Sequence, residues 1–413
     1  MFPENPLIDA VRKVAGDNRI FLVGGPVRDI LLNRPLQDYD FVIEGDYLAA
    51  ALSLAGMLSV KPAVNTKLWT ASLKTPWGTV DLTRARQERY VYPGALPRVR
   101  PAGLAQDLQR RDFSVNTLAV PLLPQGWGEL IDLLGGLQDL RNKQLRILHP
   151  QSFCDDPTRI FRAIRLQNRL GFRVEDGTLK RLRDGWRYLG SISPARRYKE
   201  WLLFCADEGL PLNLQVLHLY GGWPDCFGKL PFQPEAARKI NGFLQQPETI
   251  SVRRWFITLL ALLEKAPENR RETARFWGLS AKDSMEMEKA LALLNKFRQQ
   301  EIQYPLKPCY YRAMQGLALD TVYYLFGSMC EGSTCQRSTW EDFYQAYLSS
   351  RFPLSGQDMI KMGLEPGPEM GRLLKDLEER YWQGEFKTKQ EGIDLAIKII
   401  EGRYNAYNSK PAL

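Results

Sequence analysis

Histidine is almost missing from this chain, and cysteine is thinly spread. Only His149 and His218 occur among the 413 residues, which argues against a histidine-centred catalytic triad. The six cysteines, Cys154, Cys205, Cys226, Cys309, Cys330 and Cys335, include no CxxC pair. Neither a Cys/His zinc site nor a disulfide framework is expected, and a reducing cytoplasmic setting is. Long hydrophobic runs are missing too. The most apolar run, Trp255 to Leu263, is broken by Thr258 and has about half the length a membrane-spanning helix needs. Met1-Phe2-Pro3-Glu4-Asn5 has no basic stretch leading into an apolar one, so no secretory signal is expected. Neither GxGxxG nor GxxxxGK(S/T) occurs, which removes the dinucleotide-binding and P-loop readings. There is no internal repeat and no low-complexity tract. With 44% apolar and 25% charged residues the chain is not wholly disordered.

What is present is arginine, unevenly placed. The net charge is +9. Residues 84–111 carry seven arginines against Glu88 and Asp107, and residues 157–200 carry twelve basic residues against Glu175, Asp176, Asp184 and Glu200. These two windows leave the rest of the chain net acidic. A surplus confined to two segments predicts a surface that faces a polyanion, and arginine's planar fork favours phosphate oxygens. At about 100–200 residues per domain the length predicts two to four domains. Residues 1–140 read as mixed α/β, with strands expected at Ile20–Val23, Tyr39–Ile43, Leu68–Leu73 and Thr79–Thr83 and helices at Val27–Leu32 and Tyr47–Leu54. Residues 84–106, with Pro93, Pro97 and Pro101, read as an irregular arm. From about residue 136 strand signals fade. Helical spacing recurs at Ile160–Leu170, Arg196–Phe204, Val252–Leu263, Met285–Phe297, Thr321–Met329, Trp340–Tyr347 and Gly371–Trp382. The expected fold class is α+β: a mixed head followed by a long helical body.

Four motifs carry chemistry. In Phe21-Leu22-Val23-Gly24-Gly25-Pro26-Val27-Arg28-Asp29 a strand runs into two glycines and a helix. Glycine there lets backbone N–H groups approach a phosphate, and Arg28 in the first turn reaches the same anion. Asp38-Tyr39-Asp40 then places two carboxylates on one face of a strand, where they repel unless a cation lies between them. Hard oxygen ligands suit Mg²⁺. Asp81, in Gly78-Thr79-Val80-Asp81-Leu82-Thr83, is a candidate third carboxylate on a neighbouring strand. In Arg110-Arg111-Asp112-Phe113-Ser114-Val115-Asn116 the paired arginines are placed to neutralise a triphosphate, with Asp112 and Asn116 to orient them or to bond a ribose. In Asp155-Asp156-Pro157-Thr158-Arg159, Asp156 is a good helix N-cap and Pro157 fits the first helical position. Arg159, Arg162, Arg165 and Arg169 follow along one helix flank. An Asp–Arg pair matches the Watson–Crick edge of cytosine or adenine.

In this order and spacing, the motifs resemble the class II tRNA nucleotidyltransferase and bacterial poly(A) polymerase family. Ile131-Asp132-Leu133-Leu134-Gly135-Gly136-Leu137-x-Asp139-Leu140 resembles the family's hinge, and Ile192-Ser193-Pro194-Ala195-Arg196-Arg197 with Glu200 its last neck motif. The resemblance spans roughly residues 20–205. It implies a polymerase-β-like head at 1–140, a helical neck at 141–210 that selects the nucleotide, and a helical body and tail at 211–413 that bind tRNA. By resemblance Asp156 and Arg159 template the incoming base, with Arg162 and Arg165 further along the same nucleotide-binding helix. Gly24, Gly25, Arg28, Arg110, Arg111, Asp112 and Asn116 hold the nucleotide, and Asp38, Asp40 and Asp81 form the catalytic set, with Mg²⁺ on Asp38 and Asp40. The expected activity is addition of CMP and AMP from CTP and ATP to the tRNA 3′ end.

Two positions depart from the family pattern. Asp155 stands where Glu is usual, and Ala195 where the last neck motif usually has Glu. Within the family, CC-only addition, A-only addition and poly(A) tailing stay open, although no long basic C-terminal tail favours the last. Outside it stand a non-catalytic RNA-binding protein, which would not need Asp38 and Asp40, and a small-molecule nucleotidyltransferase, which would not need a basic neck. The Gly/Pro-rich stretch 354–371 leading into an amphipathic helix resembles the tail of one bacterial branch. Lys361, Arg372 and Lys375 there are within reach of phosphates, whereas Trp340, Tyr344 and Tyr347 are expected in the core.

Overall fold

The computed structural model describes residues 2–16, 18–244, 251–299, 308–329, 343, 345, 347 and 352–408. Helix α1 (Pro6–Val14) leads into β1 (Arg19–Val23), α2 (Gly25–Leu31), β2 (Asp38–Glu44) and α3 (Tyr47–Leu58). There follow β3 (Ala63–Asn65), β4 (Thr70–Thr75), β5 (Gly78–Arg84), β6 (Arg86–Arg89), β7 (Arg98–Pro101) and α4 (Leu104–Gln109). Strands β8 (Ala119–Leu123) and β9 (Gly126–Trp127) complete a seven-stranded sheet of order β3-β4-β5-β2-β1-β8-β9. Only β2 and β5 run parallel, with Asp38 opposite Thr79 and Asp40 opposite Asp81; the other neighbours are antiparallel. Phe21 and Val23 join Val42, Ala85, Leu104, Leu108 and Ala119 in one buried cluster. Ile20 and Leu22 face the other side of the strand and are buried there as well. Such two-sided burial explains why β1 reads as a continuous apolar run.

Three sequence expectations shift. The strand expected from Leu68 begins at Thr70, because the Asn65 side chain accepts from the Lys67 and Leu68 N–H groups and holds a turn there. Helix α3 runs to Leu58, where Ser59 enters the left-handed region at φ 54° and ends it. The irregular arm over 84–106 is largely a hairpin. β6 and β7 pair antiparallel, Arg86 opposite Pro101 and Arg89 opposite Arg98, and α4 follows. The prolines do not prevent this: Pro93 and Pro97 lie in the connection and Pro101 at the strand end, where a missing N–H is tolerated.

Beyond the sheet come α5 (Gly136–Arg141), the short parallel pair β10 (Gln144–Leu145) and β11 (Arg173–Val174), and the helices α6 (Ser152–Asp155), α7 (Thr158–Leu170), α8 (Asp176–Gly185) and α9 (Pro194–Ala206). Aromatic side chains fill this region: Phe161 meets Phe204 edge-on at 5.7 Å, and the Trp201 and Trp277 rings lie 4.7 Å apart. Residues 1–241 and 261–279 form one compact unit, and 242–260 with 280–413 another. The described elements of the second unit are helical, among them Ala281–Gln299, Leu319–Met329, Gly356–Lys361 and Pro368–Gln383. Leu354, Met359, Leu373, Leu377, Phe386 and Ala396 form a core of its own. Of the helix expected at Trp340–Tyr347, Trp340 and Tyr344 lie outside the described residues.

Candidate active site

The diglycine turn begins the site. Gly24 has φ +73°, and a Cβ on it would lie 2.6 Å from Arg111 Nη1. The positive φ therefore favours glycine, and any side chain there would displace the guanidinium beside it. Arg28, 3% exposed, is fixed from two sides. Its Nε and Nη2 donate to the Asp29 carboxylate at 2.8 and 2.9 Å, and its Nη1 donates to Asn116 Oδ1. Asn116 Nδ2 donates to Asp112 Oδ1 at 2.9 Å, while Asp112 Oδ2 accepts from Arg162 Nε and Nη2 at 2.8 and 2.6 Å. A polar chain thus runs from α2 through the Arg-Arg-Asp motif to α7. Burial alone would push the Asp112 carboxyl up; Arg162, Asn116 and Arg159 outweigh it and hold Asp112 well below the ordinary range.

The carboxylates line up as the strand pattern predicts. Asp38 is exposed at the head of β2, and Asp40, half-buried, stands beside Asp81 of β5. Burial pushes Asp40 up to about 6; Asp81 and Asp38 add to the rise, and Arg111 and Arg162 oppose it. An ionised Asp40 is thus held against desolvation and two like charges, a strain that a cation relieves. Carboxylate oxygens are hard donors that suit a divalent ion. Among the described residues no group of three or more His, Cys, Asp or Glu side chains is arranged to hold a metal. Asp81 stands opposite Asp40 on the neighbouring strand.

The two arginines of the motif part company. Arg111 lies against the diglycine turn, its Nη2 donating to Asp107 Oδ2 at 3.1 Å and its buried Nε unpartnered. Arg110 pairs with Asp107 at 2.7 Å and Glu88 at 3.2 Å instead. Asp107 and Glu88 were not singled out in the sequence. Asp107 had a signal, since it precedes Arg110 and Arg111 by three and four residues on a helix; Glu88 had none.

At α7 the expected cap is in place: Asp156 is extended, Pro157 already has helical torsions, and the Asp156 side chain accepts from the second helical N–H. Helix α7 starts at Thr158, with Asp156 Oδ1 accepting from Thr158 N and Oγ1 at 3.2 and 2.7 Å. Arg196 Nη2 donates to the same oxygen at 2.9 Å. Arg159, 5% exposed, donates to Ser152 Oγ at 2.7 Å and to the Arg110 carbonyl at 2.6 Å. The four arginines do not share one environment: Arg159 is buried, Arg162 binds Asp112, Arg165 lies 3.7 Å from Asp207, and Arg169 is exposed. A cavity of about 330 Å³, lined among others by Gln87, Arg89, Tyr90, Arg110, Asp155 and Arg159, opens beside this helix start.

The family model described as the poly A polymerase head domain matches residues 20–146. An A-adding tRNA nucleotidyltransferase of Halalkalibacterium halodurans is 30% identical over 400 residues, covering 92% of this chain and 88% of the relative. The chain belongs to the tRNA nucleotidyltransferases. A CC-adding tRNA nucleotidyltransferase of Deinococcus radiodurans is also 30% identical, over 388 residues covering 93% and 90% of the two chains. A solved CCA-adding enzyme with ATP superposes with a TM-score of 0.70 at 25% identity over 95% of each chain. This tRNA nucleotidyltransferase is an α+β protein with a polymerase head and a helical remainder, the architecture expected from its sequence. Enzymes of its kind use a divalent metal. No described helix is long and apolar enough to cross a membrane.

Proposed function

We propose that the protein adds nucleotides to the 3′ end of tRNA, CMP from CTP and AMP from ATP, with release of pyrophosphate, in the cytoplasm. The observation that supports this most is the meeting of three parts in one compact unit. These are the carboxylates of β2 and β5, the diglycine turn backed by Arg111, and the α7 start with Asp156 and Arg159. Asp38 and Asp40 would hold Mg²⁺, which when bound would supply the positive charge that acidifies the tRNA 3′-hydroxyl and offsets the charge of the leaving pyrophosphate. Arg111 and the backbone N–H groups at Gly24 and Gly25 hold phosphate oxygens. Arg28 gives three of its five N–H groups to Asp29 and Asn116, which fixes the turn and leaves two for a phosphate oxygen. The base lies against Asp156, whose Oδ2 is left to accept from an exocyclic amino group, and Arg159 faces its ring acceptors. Uracil and guanine present the wrong edge and leave buried groups unpaired. Asp112 and Asn116 act through Arg162 and Arg28, and Arg110 acts through Arg159 by its carbonyl. Arg165 steadies α7.

The test is incorporation of labelled CTP and ATP, separately and together, into tRNA ending before CCA, with the products sequenced. Both nucleotides are expected, and Asp40→Ala is expected to abolish transfer. A-only addition is the second reading, favoured by the likeness to the Halalkalibacterium enzyme over most of both chains. It predicts extension only of tRNA already ending in CC. Binding of tRNA without incorporation of any nucleotide would leave the non-catalytic reading.

A further inference from the structure

The hairpin over 86–101 has a face that the assignment above gives no role, although two of its residues, Gln87 and Arg89, also line the cavity beside the α7 start. Its register sets Arg89 directly opposite Arg98 and Gln87 opposite Arg100. Side chains two apart on a strand, and directly opposed across a pair, share one face. One face of the hairpin therefore carries Gln87, Arg89, Arg98 and Arg100, and all four are exposed. Like charges directly opposed destabilise a strand pair. The nearest acid in sequence, Glu88, does not answer them, because it lies on the other face and is engaged by Arg86, Arg110 and the Tyr90 hydroxyl. Among the described residues Arg89, Arg98 and Arg100 have no ion pair.

The connection between the strands adds an apolar tip. Val91 is 57% exposed, Tyr92 64% and Leu96 67%. The tip is held at its base. Gly94 N donates to the Cys154 carbonyl at 3.1 Å, and Arg196 Nη1 donates to the Gly94 carbonyl at 2.6 Å while its Nη2 binds Asp156. Gly94 has φ +70°, and a Cβ there would sit 2.5 Å from Ser191 Oγ. So an exposed aromatic ring and unpaired arginines are anchored one residue from the base-reading pair.

We propose that this hairpin holds the single-stranded 3′ end of the tRNA. The arginine face lies along the phosphates of the last nucleotides, and Tyr92 stacks on a terminal base. Unpaired cations with an exposed aromatic ring are the general means of gripping single-stranded nucleic acid without reading its sequence. An anion between Arg89 and Arg98 removes their repulsion. The idea rests on the assignment of tRNA as substrate above.

The test uses the full chain and a tRNA ending in C, with equilibrium binding followed by fluorescence anisotropy across a salt series. Arg89→Gln with Arg98→Gln is expected to weaken tRNA binding about tenfold and to flatten the slope of log affinity against log salt by about 1.4, or 0.7 per single-strand phosphate. The KM for CTP and ATP should stay within about twofold, and the melting temperature should not fall, since a repulsive pair is removed. A tRNA whose terminal base is 2-aminopurine reports stacking by its emission: Tyr92→Ala should lose the change seen on binding to the wild type, and Tyr92→Phe should keep it. Unchanged affinity and salt slope in the double variant overturn the proposal. So does a rise in nucleotide KM with unchanged tRNA binding, which would give the arginines to the triphosphate. If the wild type itself neither binds nor extends tRNA, the functional assignment fails, an outcome separate from a wild type that extends tRNA while the variants bind it normally.

Discussion

At the scale of single residues the site is a balance of charges that the fold holds in place. Asp40 is unfavourable as an ion, raised by burial and by Asp81 and Asp38. Asp40→Asn should therefore do two opposite things: abolish nucleotide transfer, and raise stability in metal-free buffer at pH 8 by on the order of 1–2 kcal/mol. Thermal melts show both sides, because added Mg²⁺ should raise the wild-type Tm and leave that of the variant unmoved. Asp112 is the reverse case, held low by Arg162 against its burial. A carboxyl lowered in the folded state contributes stability above its unfolded value and loses it as pH falls through its folded one. Arg162→Ala leaves a buried carboxylate with Asn116, the Phe113 N–H and Arg159 nearby. The Arg162 side chain is 53% exposed, so the loss is discounted to about 2 kcal/mol at pH 7. Urea unfolding at pH 7 and at pH 3 checks the sign: the difference between wild type and variant should shrink at the lower pH. An equal difference at both would mean that Arg162 acts by packing alone.

At the scale of elements, legibility followed hydrophobic pattern. β2 could be placed because Phe41-Val42-Ile43 continues Asp38-x-Asp40 into a buried run, which also told which face the carboxylates share. The β6–β7 hairpin stayed hidden because Arg86-Gln87-Glu88-Arg89 has no apolar alternation; its inward face is charged, with Arg86 satisfied by Glu88 rather than by a core. The α7 start was legible because Asp156 and Pro157 are local signals: Pro157, at φ −59° and ψ −18°, takes the first helical position and Asp156 caps it. Spacing showed that arginines lie along α7, not that one would be buried and the others differently engaged, since that depends on Ser152 and the Arg110 carbonyl arriving from elsewhere. The β1–α2 turn gives the prediction that belongs to this scale. Gly24→Ala forces a positive φ on alanine and pushes on Arg111 Nη1. The guanidinium is the far end of a flexible side chain and can give way, so stability should fall by only about 1 kcal/mol. The nucleotide KM should rise about tenfold, because the displaced Arg111 is the group placed on the phosphates. Steady-state kinetics with CTP beside a urea titration separate the two: a large stability loss with an unchanged KM would make the turn a purely structural feature.

For the whole molecule, the chain's division into two compact units sets what a mutation can reach. Residues 1–241 contain every side chain assigned to chemistry, whereas the cluster around Leu373, Leu377 and Phe386 is made only of residues from 354 onward. Each has its own buried core, the physical condition for opening separately. Leu377 is 0% exposed, and Leu377→Ala should remove about 3 kcal/mol from the stability of its surroundings through lost burial and a cavity. Multi-domain chains need not unfold in one step, so the loss should appear in one part of the unfolding curve only. Hydrogen exchange resolved by peptide gives the direct reading. Amides of Pro368–Gln383 should exchange faster in the variant, while those of β1, β2 and β5 keep their wild-type rates, and CTP affinity should not change. Equal acceleration in the sheet would mean that the two units share one cooperative transition, and every stability effect predicted for Asp40, Arg162 and Gly24 would then have to be read against the whole chain rather than against the unit that holds them.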